Sequence, residues 1–465
     1  MLVRPGPSVR NRGSRSGLSW YELRYVTVRR ALGPSVLLGT FLLSGAARAQ
    51  NADSFYYSNE AAITAGAMVA VPADDGAAWY NPAGLGTLRR TRVNANGSVF
   101  GVRIRPIAGG LRSSLGGLSS SVDYGGTDFV ATPTTASASF ALLPNLTLSG
   151  GLFHTGQDVR SAVGVEKVQG SDGRTLSQKI DTLVHQRKMH MGGAYGFDAG
   201  HGLRVGGGMF LVYSVRDGAL DYIVGLDDGR GRPDIISLSA SSGMTSWGLQ
   251  PTQGVQWDVS KRLHLGAVFR FPELRLLASG RAATTQVVSG TDATVFALTD
   301  TKESSSRMRW SDPARVFVGV AYEPTDKVRL AFDGDVAFAL ERDTWGAAHD
   351  ARVRFRAGVL LKPVDAFHFG FGAFVDPASE RVLPGDLGAL RVDYYGGTFG
   401  FILRTRLGPD TGPNAPVLTL SSAVRYAVGL GAARTAVILE QAATVGTQTI
   451  TVHDVMPYIG SSVAF

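Results

Sequence analysis

The sequence predicts an all-β chain, a closed 14-stranded antiparallel transmembrane β-barrel. Three observations point there. Long runs alternate apolar residues with small or charged ones, short connections alternate with long ones, and no run of 18 or more apolar residues follows residue 49. The last excludes helical membrane spans, whereas strands with one greasy face fit a tilted barrel wall, which lipid forces to close.

The alternation is plainest in the second half. Val328, Leu330, Phe332, Gly334, Val336, Phe338 and Leu340 share one face, with Arg329, Ala331, Asp333, Asp335, Ala337 and Ala339 between them. Leu263, Leu265, Ala267, Phe269 and Phe271 follow the same period of two, as do Phe367, Phe369, Phe371, Ala373 and Val375, and that period is the mark of a two-faced strand. Tight turns are expected at 142–146, 198–202, 258–262, 323–327 and 362–366, with a somewhat longer one at 408–416. Longer polar connections are expected at 107–129, 158–183, 217–240, 281–304, 343–349, 377–390 and 433–447. Six turns and seven loops make seven hairpins with both chain ends on the short-turn side.

Residues 29–49, "RRALGPSVLLGTFLLSGAARA", read as a signal peptide with an Ala47-Arg48-Ala49 cleavage site and a true start near Val26 or Val28. Residues 1–49 hold eight Arg and one Glu, so the remainder carries 38 basic and 37 acidic residues, close to neutral. The basic balance therefore gives no support to nucleic-acid binding. The absence of cysteine rules out disulfides and thiolate metal sites. None of the eight histidines sits in a G-x-S-x-G or H-E-x-x-H setting and no phosphate loop is present, so neither an enzyme nor a cofactor is expected. The chain ends "YIGSSVAF", with Phe465, Val463, Ile459 and Val455 on one face. Such a terminus looks like the sorting signal read by the barrel-assembly machinery of an outer membrane. Pro457 within it calls for a bulge or an unpaired position.

One stretch fits neither strand nor long helix: Asp74–Gly86, "DDGAAWYNPAGLG". Pro82 lacks the N–H of a ladder, and Gly76, Asn81, Gly84 and Gly86 break a helix. The segment 60–90, and within it Ala73-Asp74-Asp75 followed by Tyr80-Asn81-Pro82-Ala83-Gly84-Leu85, resembles the N-terminal segment of the FadL family of outer-membrane transporters for long-chain fatty acids and other hydrophobic compounds. The hairpins 250–272 and 312–340 resemble that family's hairpins as well. The resemblance implies that residues 50–90 form a hatch plugging the lumen of a barrel built by 91–465, with Asn81, Pro82 and Ala83 packed against the third strand from inside. It also implies a hydrophobic ligand captured by two outer loops and released sideways into membrane lipid through a kink in that third strand, from a barrel working as a monomer.

On that reading the kink falls at Gly150-Gly151 in the third strand, 145–157, since interior glycines permit a bulge. The capture loops are 217–240, with Leu220, Tyr222, Ile223 and Val224, and 281–304, with Phe296 and Leu298; an alternative is that these patches are strand extensions above the membrane. Arg352, Arg354 and Arg356 alternate along one strand and should face the lumen together. They would pair with Asp333 and Asp335 next door, or hold a ligand carboxylate. A water-filled porin for small polar solutes is the main rival: it shares the strands but neither the hatch motif nor the greasy patches.

Overall fold

The computed structural model describes residues 56–71, 76–230, 233–289, 294–305, 308–341, 348–381, 389–408, 415–439 and 442–465. The signal peptide expected over 1–49 lies outside the described residues.

The wall opens with six very long strands, β1 (Arg92–Leu115), β2 (Leu118–Leu143), β3 (Leu146–Gln169), β4 (Thr175–Gly200), β5 (Leu203–Asp227) and β6 (Pro233–Asp258). There follow β7 (Leu263–Arg270), β8 (Glu273–Ser289), β9 (Thr294–Ser305), β10 (Arg309–Asp312), β11 (Arg315–Thr325) and β12 (Val328–Ala337). The last five are β13 (Arg352–Val364), β14 (Phe367–Asp376), β15 (Leu390–Arg406), β16 (Val417–Leu439) and β17 (Ala442–Ala464). Each pairs with its neighbours, and β1 pairs with both β2 and β17, so the sheet closes on itself. Hydrogen bonding satisfies the edges, as hydrocarbon requires.

Two expectations need correction. The strands are not 14. Pro272 interrupts what is otherwise one strand, β7–β8, and Pro313 interrupts another, β10–β11, each for want of an N–H. With those joined, the described residues make 15 strands. The sheet is also not wholly antiparallel, because Leu111–Ser114 of β1 runs parallel to Ala436–Leu439 of β16.

The five tight turns fall where the sequence places them, and the connection expected at 408–416 lies mostly outside the described residues. The long connections are different. The expected loops 107–129, 158–183, 217–240 and 281–304 are mostly strand. At 26 residues β2, β4 and β6 reach about 85 Å, while about 10 tilted residues cross a bilayer. The excess stands clear of the membrane at the long-hairpin end. There both faces meet water or protein, so the greasy alternation fades and the segments read as loops. Pro457 behaves as expected, since the β1–β17 register shifts between Gly97↔Ile459 and Val102↔Val455.

Inside the short-turn half lies a plug. It contains α1 (Asn59–Ile63), α2 (Ala77–Tyr80) and a 3₁₀ stretch (Pro82–Thr87). These helices are one turn long and cannot stand alone; the barrel holds them. Ser58 caps α1 by accepting from the Ala61 amide at 3.1 Å. Inward side chains of the wall then take up the plug's backbone. Asp333 accepts from the Met68 and Val69 amides at 2.6 and 2.9 Å, Thr398 Oγ1 from Ala65 at 2.9 Å, and Gln256 donates to the Ala70 carbonyl at 2.7 Å. Glu60, 7% exposed, receives Arg329 at 2.8 Å and Arg404 at 3.2 Å.

Burial alone would raise the Glu60 pKa, but Arg329 and Arg404 override it and hold the carboxyl at about 2. The anchor is thus fully present above the ordinary value of 4.5 and is lost only as pH falls toward about 2. Plug docking should therefore survive mild acid. Glu60→Gln should weaken docking by on the order of 3 kcal/mol, read as roughly hundredfold faster hydrogen exchange of the amides of residues 56–70 with the wall unaffected. Unchanged exchange would remove Glu60 as an anchor.

Candidate functional site

The Asn81-Pro82-Ala83 motif is the plug's joint with the wall. Asn81 is fully buried. Its Nδ2 donates to the Val69 and Val255 carbonyls at 2.8 and 3.0 Å, and its Oδ1 accepts from the Ala83 amide at 3.1 Å. The carboxamide supplies two N–H donors and an acceptor oxygen from one short side chain, and all three are used here. Pro82 opens the 3₁₀ stretch, where its missing N–H costs nothing. The wall here is glycine. A Cβ at Gly254 would strike Asn81 Oδ1, and one at Gly206 would strike the Pro82 backbone. The motif therefore packs on β4, β5 and β6, and the expected packing against the third strand at Gly150-Gly151 is corrected.

Gly150-Gly151 itself is not a kink. The β2–β3 ladder runs unbroken from Leu146 through Ser137↔Gly151 and Ala138↔Gly150 to Thr135↔Phe153, apart from a shift at the turn. The β3–β4 ladder passes through both glycines as well and slips only between His154 and Gly156. Gly150 faces outward with no atom closer than 3.8 Å to where a Cβ would sit. The interruption comes just beyond. After Phe153, β3 pairs with β4 alone, and before Thr135, β2 pairs with β1 alone. A glycine count points to the wrong place because the break is caused by where β2 goes.

Aromatic rings mark this spot. Phe153, fully buried, stacks on Trp79 at 5.4 Å and meets Tyr57 at 5.9 Å, both in the plug, and Phe210 at 5.7 Å. Arg270 lies 4.0 Å over the Trp79 ring and donates to its carbonyl at 2.9 Å. Trp79 and Arg270 floor a cavity of about 100 Å³ that Thr155 and His190 also line. Gln250 Nε2 donates to the Phe271 carbonyl, so its Oε1 takes the His190 Nε2 proton at 3.0 Å and His190 Nδ1 accepts from Thr155 at 2.9 Å. Lys188, Arg216, Arg270, Arg275 and Arg315 bring positive charge to the lining, against Glu273, Asp312 and Glu380. Lys188 bridges Glu273 at 2.5 Å and Asp312, and Arg216 lies 3.6 Å from Glu380. Neither amide atom of the buried Gln186, which also lines the cavity, bonds to a described residue.

The sequence-predicted ligand residues fare unevenly. Arg354 grips Asp335 through Nε at 2.8 and 2.9 Å, and Arg352 reaches Asp376 at 3.3 Å and the Pro377 carbonyl at 2.7 Å. Asp333 serves the plug instead. Arg356 lines a small recess with Tyr56, Tyr57 and Gly66. These arginines are wall structure, away from the cavity. Of the expected capture loops, 219–226 lies within β5, where Tyr222 and Val224 point inward and are buried, Leu220 packs beside them and Ile223 faces out, 43% exposed. Leu298 faces out, and the Phe296 side chain lies outside the described residues. Exposed loop grooves are thus corrected to strand extensions, the one in β5 with a buried face. Lys188, Arg216 and Trp79 escaped the sequence reading because the first two stand outside the expected loops 158–183 and 217–240, in stretches where no site was sought, and the third was read only as part of a turn.

At the long-hairpin end the β1–β2 hairpin turns inward. Its Ile107, Leu111, Val122 and Tyr124 are buried in one apolar cluster with Tyr222 and Val224 of β5, Val392 of β15 and Ile438 of β16. The hairpin roofs the mouth of the barrel.

Three solved structures share this architecture. A Pseudomonas aeruginosa FadL homologue matches with TM-score 0.54 at 11% identity, covering 90% of this chain and 99% of its own. The Ralstonia pickettii toluene transporter TbuX matches with 0.53 at 14%, covering 88% and 98%. The Pseudomonas putida toluene transporter TodX matches with 0.52 at 14%, covering 89% and 99%. No family model matches the chain, and no curated protein matches it. A closed barrel, an N-terminal plug inside it and near-complete mutual coverage place the chain, by its fold, with the FadL-type barrels.

Proposed function

We propose that the chain is a passive outer-membrane transporter of long-chain fatty acids or other hydrophobic compounds. Ligand enters at the long-hairpin end, rests in the cavity above Trp79 and leaves sideways between β2 and β3 into the bilayer. The observation that carries this is the position of the cavity: Thr155, on its wall, stands two residues past Phe153, where β2–β3 pairing ends. An apolar ligand gains nothing from entering water. At about 0.8 kcal/mol per CH₂, a 16-carbon chain released into the bilayer avoids a cost on the order of 12 kcal/mol. Residues 1–49 act as the export signal, 50–90 as the hatch and 91–465 as the barrel, and the protein performs no chemistry on its ligand.

The excess of cations around the cavity favours a ligand with an acidic head, since a carboxylate gains charge-assisted hydrogen bonds there and a neutral hydrocarbon does not. Uptake of labelled palmitate and labelled hexadecane, in cells lacking other transporters, tests this. Arg216→Gln should raise the palmitate concentration needed for half-maximal uptake by about tenfold and leave hexadecane unchanged. Equal loss for both would refute the headgroup role.

A porin is the other reading, and it differs in ion flow. The plugged barrel should pass little current in planar bilayers, and deleting 56–88 should raise it steeply; porin-like current from the intact chain would overturn transport through a hatch.

The exit is the break past Phe153, so Gly150→Val should leave palmitate uptake and outer-membrane levels unchanged. A steep drop in uptake by a well-assembled variant would return the exit to Gly150.

A further inference from the structure

The β1–β2 hairpin leaves the wall on both of its sides, first from β3 at Thr135, level with Asn96, and then from β17 at Ile104, level with Thr127. Its ladder with β17 stops at Ile104↔His453, and its ladder with β3 stops at Thr135↔Phe153. Past both points it bends. Its internal register slips from Ile107↔Tyr124 to Leu111↔Val122, and Gly109 takes φ +58°, which a bulkier residue resists. Beyond the bend Leu111–Ser114 skips β17 and pairs in parallel with β16. The one hairpin therefore both roofs the mouth and runs past β3 without pairing with it.

The wall left behind overlaps. A Cβ at Gly164 of β3 would lie 2.9 Å from the Asp123 carbonyl and closer still to Val122, and one at Gly126 of β2 would strike the Ser161 carbonyl. Face-to-face contact has replaced edge pairing, and only glycine allows it. Side chains stand in for the ladder: Asp128 accepts from the Ser161 amide at 3.1 Å, and Arg105 donates to the Val159 carbonyl at 2.8 Å and to Asp158 at 3.0 Å. The facing edges, 128–134 with 154–160 and 105–107 with 450–452, make no ladder pairs with each other among the described residues.

We propose that this hairpin is a two-position gate. Inward, it closes the mouth and leaves the β2–β3 seam unzipped; outward, it re-pairs with β3 and β17, seals the wall and opens the mouth. Entry and lateral exit then open alternately, without an energy source, because each position trades one set of backbone hydrogen bonds for another. Arg105 and Asp158 are positioning residues that hold the inward state. The purpose of the gate rests on the transport reading; its motion does not.

The chain has no cysteine, so introduced thiols act alone. Ser114 and Leu439 are ladder partners at the half-exposed edge of the roof, suited to a disulfide. In the variant Ser114→Cys, Leu439→Cys, Ser246→Cys, the thiol at 246 lies in the cavity under the roof. A small membrane-impermeant methanethiosulfonate, applied to whole cells, should modify 246 about tenfold more slowly after oxidation than before. Palmitate uptake by the same cells should fall in parallel. Equal modification rates would mean a fixed roof and overturn the gate. A modification rate that responds to oxidation, in cells whose wild-type protein takes up no palmitate, would uphold the gate and sink the transport reading. Gly164→Val, with Ser246→Cys, checks the reverse direction: valine cannot fit the overlap, so modification should quicken several-fold, and no change would count against the gate even where the disulfide fails to form.

Discussion

Every backbone N–H and C=O inside hydrocarbon must find a partner, and the rest of this molecule follows from that demand. It closes the sheet through β1 and β17. It also makes the stretch past Phe153 the most informative place in the wall, because there the ladder stops and something else must answer. Asp128 and Arg105 supply the hydrogen bonds that the Ser161 amide and Val159 carbonyl would have taken from a neighbouring strand. A buried polar group left unpaired costs several kcal/mol wherever water cannot reach it. A break secured this way is built into the sequence as firmly as a strand.

The same residues belong to a larger charge network. Arg103 joins Asp158 at 3.1 Å to Asp454 at 3.0 Å, Arg425 reaches Asp454 at 3.0 Å, Arg160 lies 2.8 Å from Asp158, and Arg105 also grips Asp128. The chain of pairs runs from β16 through β17, β1 and β2 to β3, across both the closure seam and the break. Buried ion pairs are weak evidence of stability, since desolvation offsets much of their attraction. They are directional, however, and here they fix which strands lie side by side where backbone pairing no longer does.

Much of this was legible in the sequence. The period-two runs gave the wall, and Pro457 gave its bulge. Asn81-Pro82 by itself reads only as a tight turn; it pointed to a plug through its resemblance to the FadL-family segment, and its hydrogen bonds to Val69 and Val255 then make it the plug's joint. The count of strands was not legible: Pro272 and Pro313 divide strands without ending them, and alternation at 217–227 and 233–240 is blurred where Tyr222 and Val224 turn to a protein core and their neighbours to water. Nor was the break, since Gly150-Gly151 looks like a kink in one dimension while the cause lies in the hairpin before it. The acids of Asp333 and Asp335 were read as twins, yet one holds Arg354 and the other the plug's backbone.

That last division shows how the lumen is organised. In the short-turn half, inward wall side chains face the plug's amides and carbonyls, and glycines admit its backbone; a small recess at Tyr56, Tyr57 and Arg356 remains. In the long-hairpin half the inward face is apolar but already covered by the chain's own hairpin. Between the two lies a charged cavity too small for a long chain. A fatty acid could not be housed whole in the molecule as it stands: a cavity of about 100 Å³ has room for roughly seven to ten waters at about 10–15 Å³ of such space each, fewer heavy atoms than a 16-carbon chain carries. The head fits the cavity and the tail does not. Any long-chain ligand must therefore displace protein, and the apolar surface that can part is the roof over Tyr222 and Val224. The static volume of the site thus argues, independently of its strand pairing, that passage depends on moving the first hairpin.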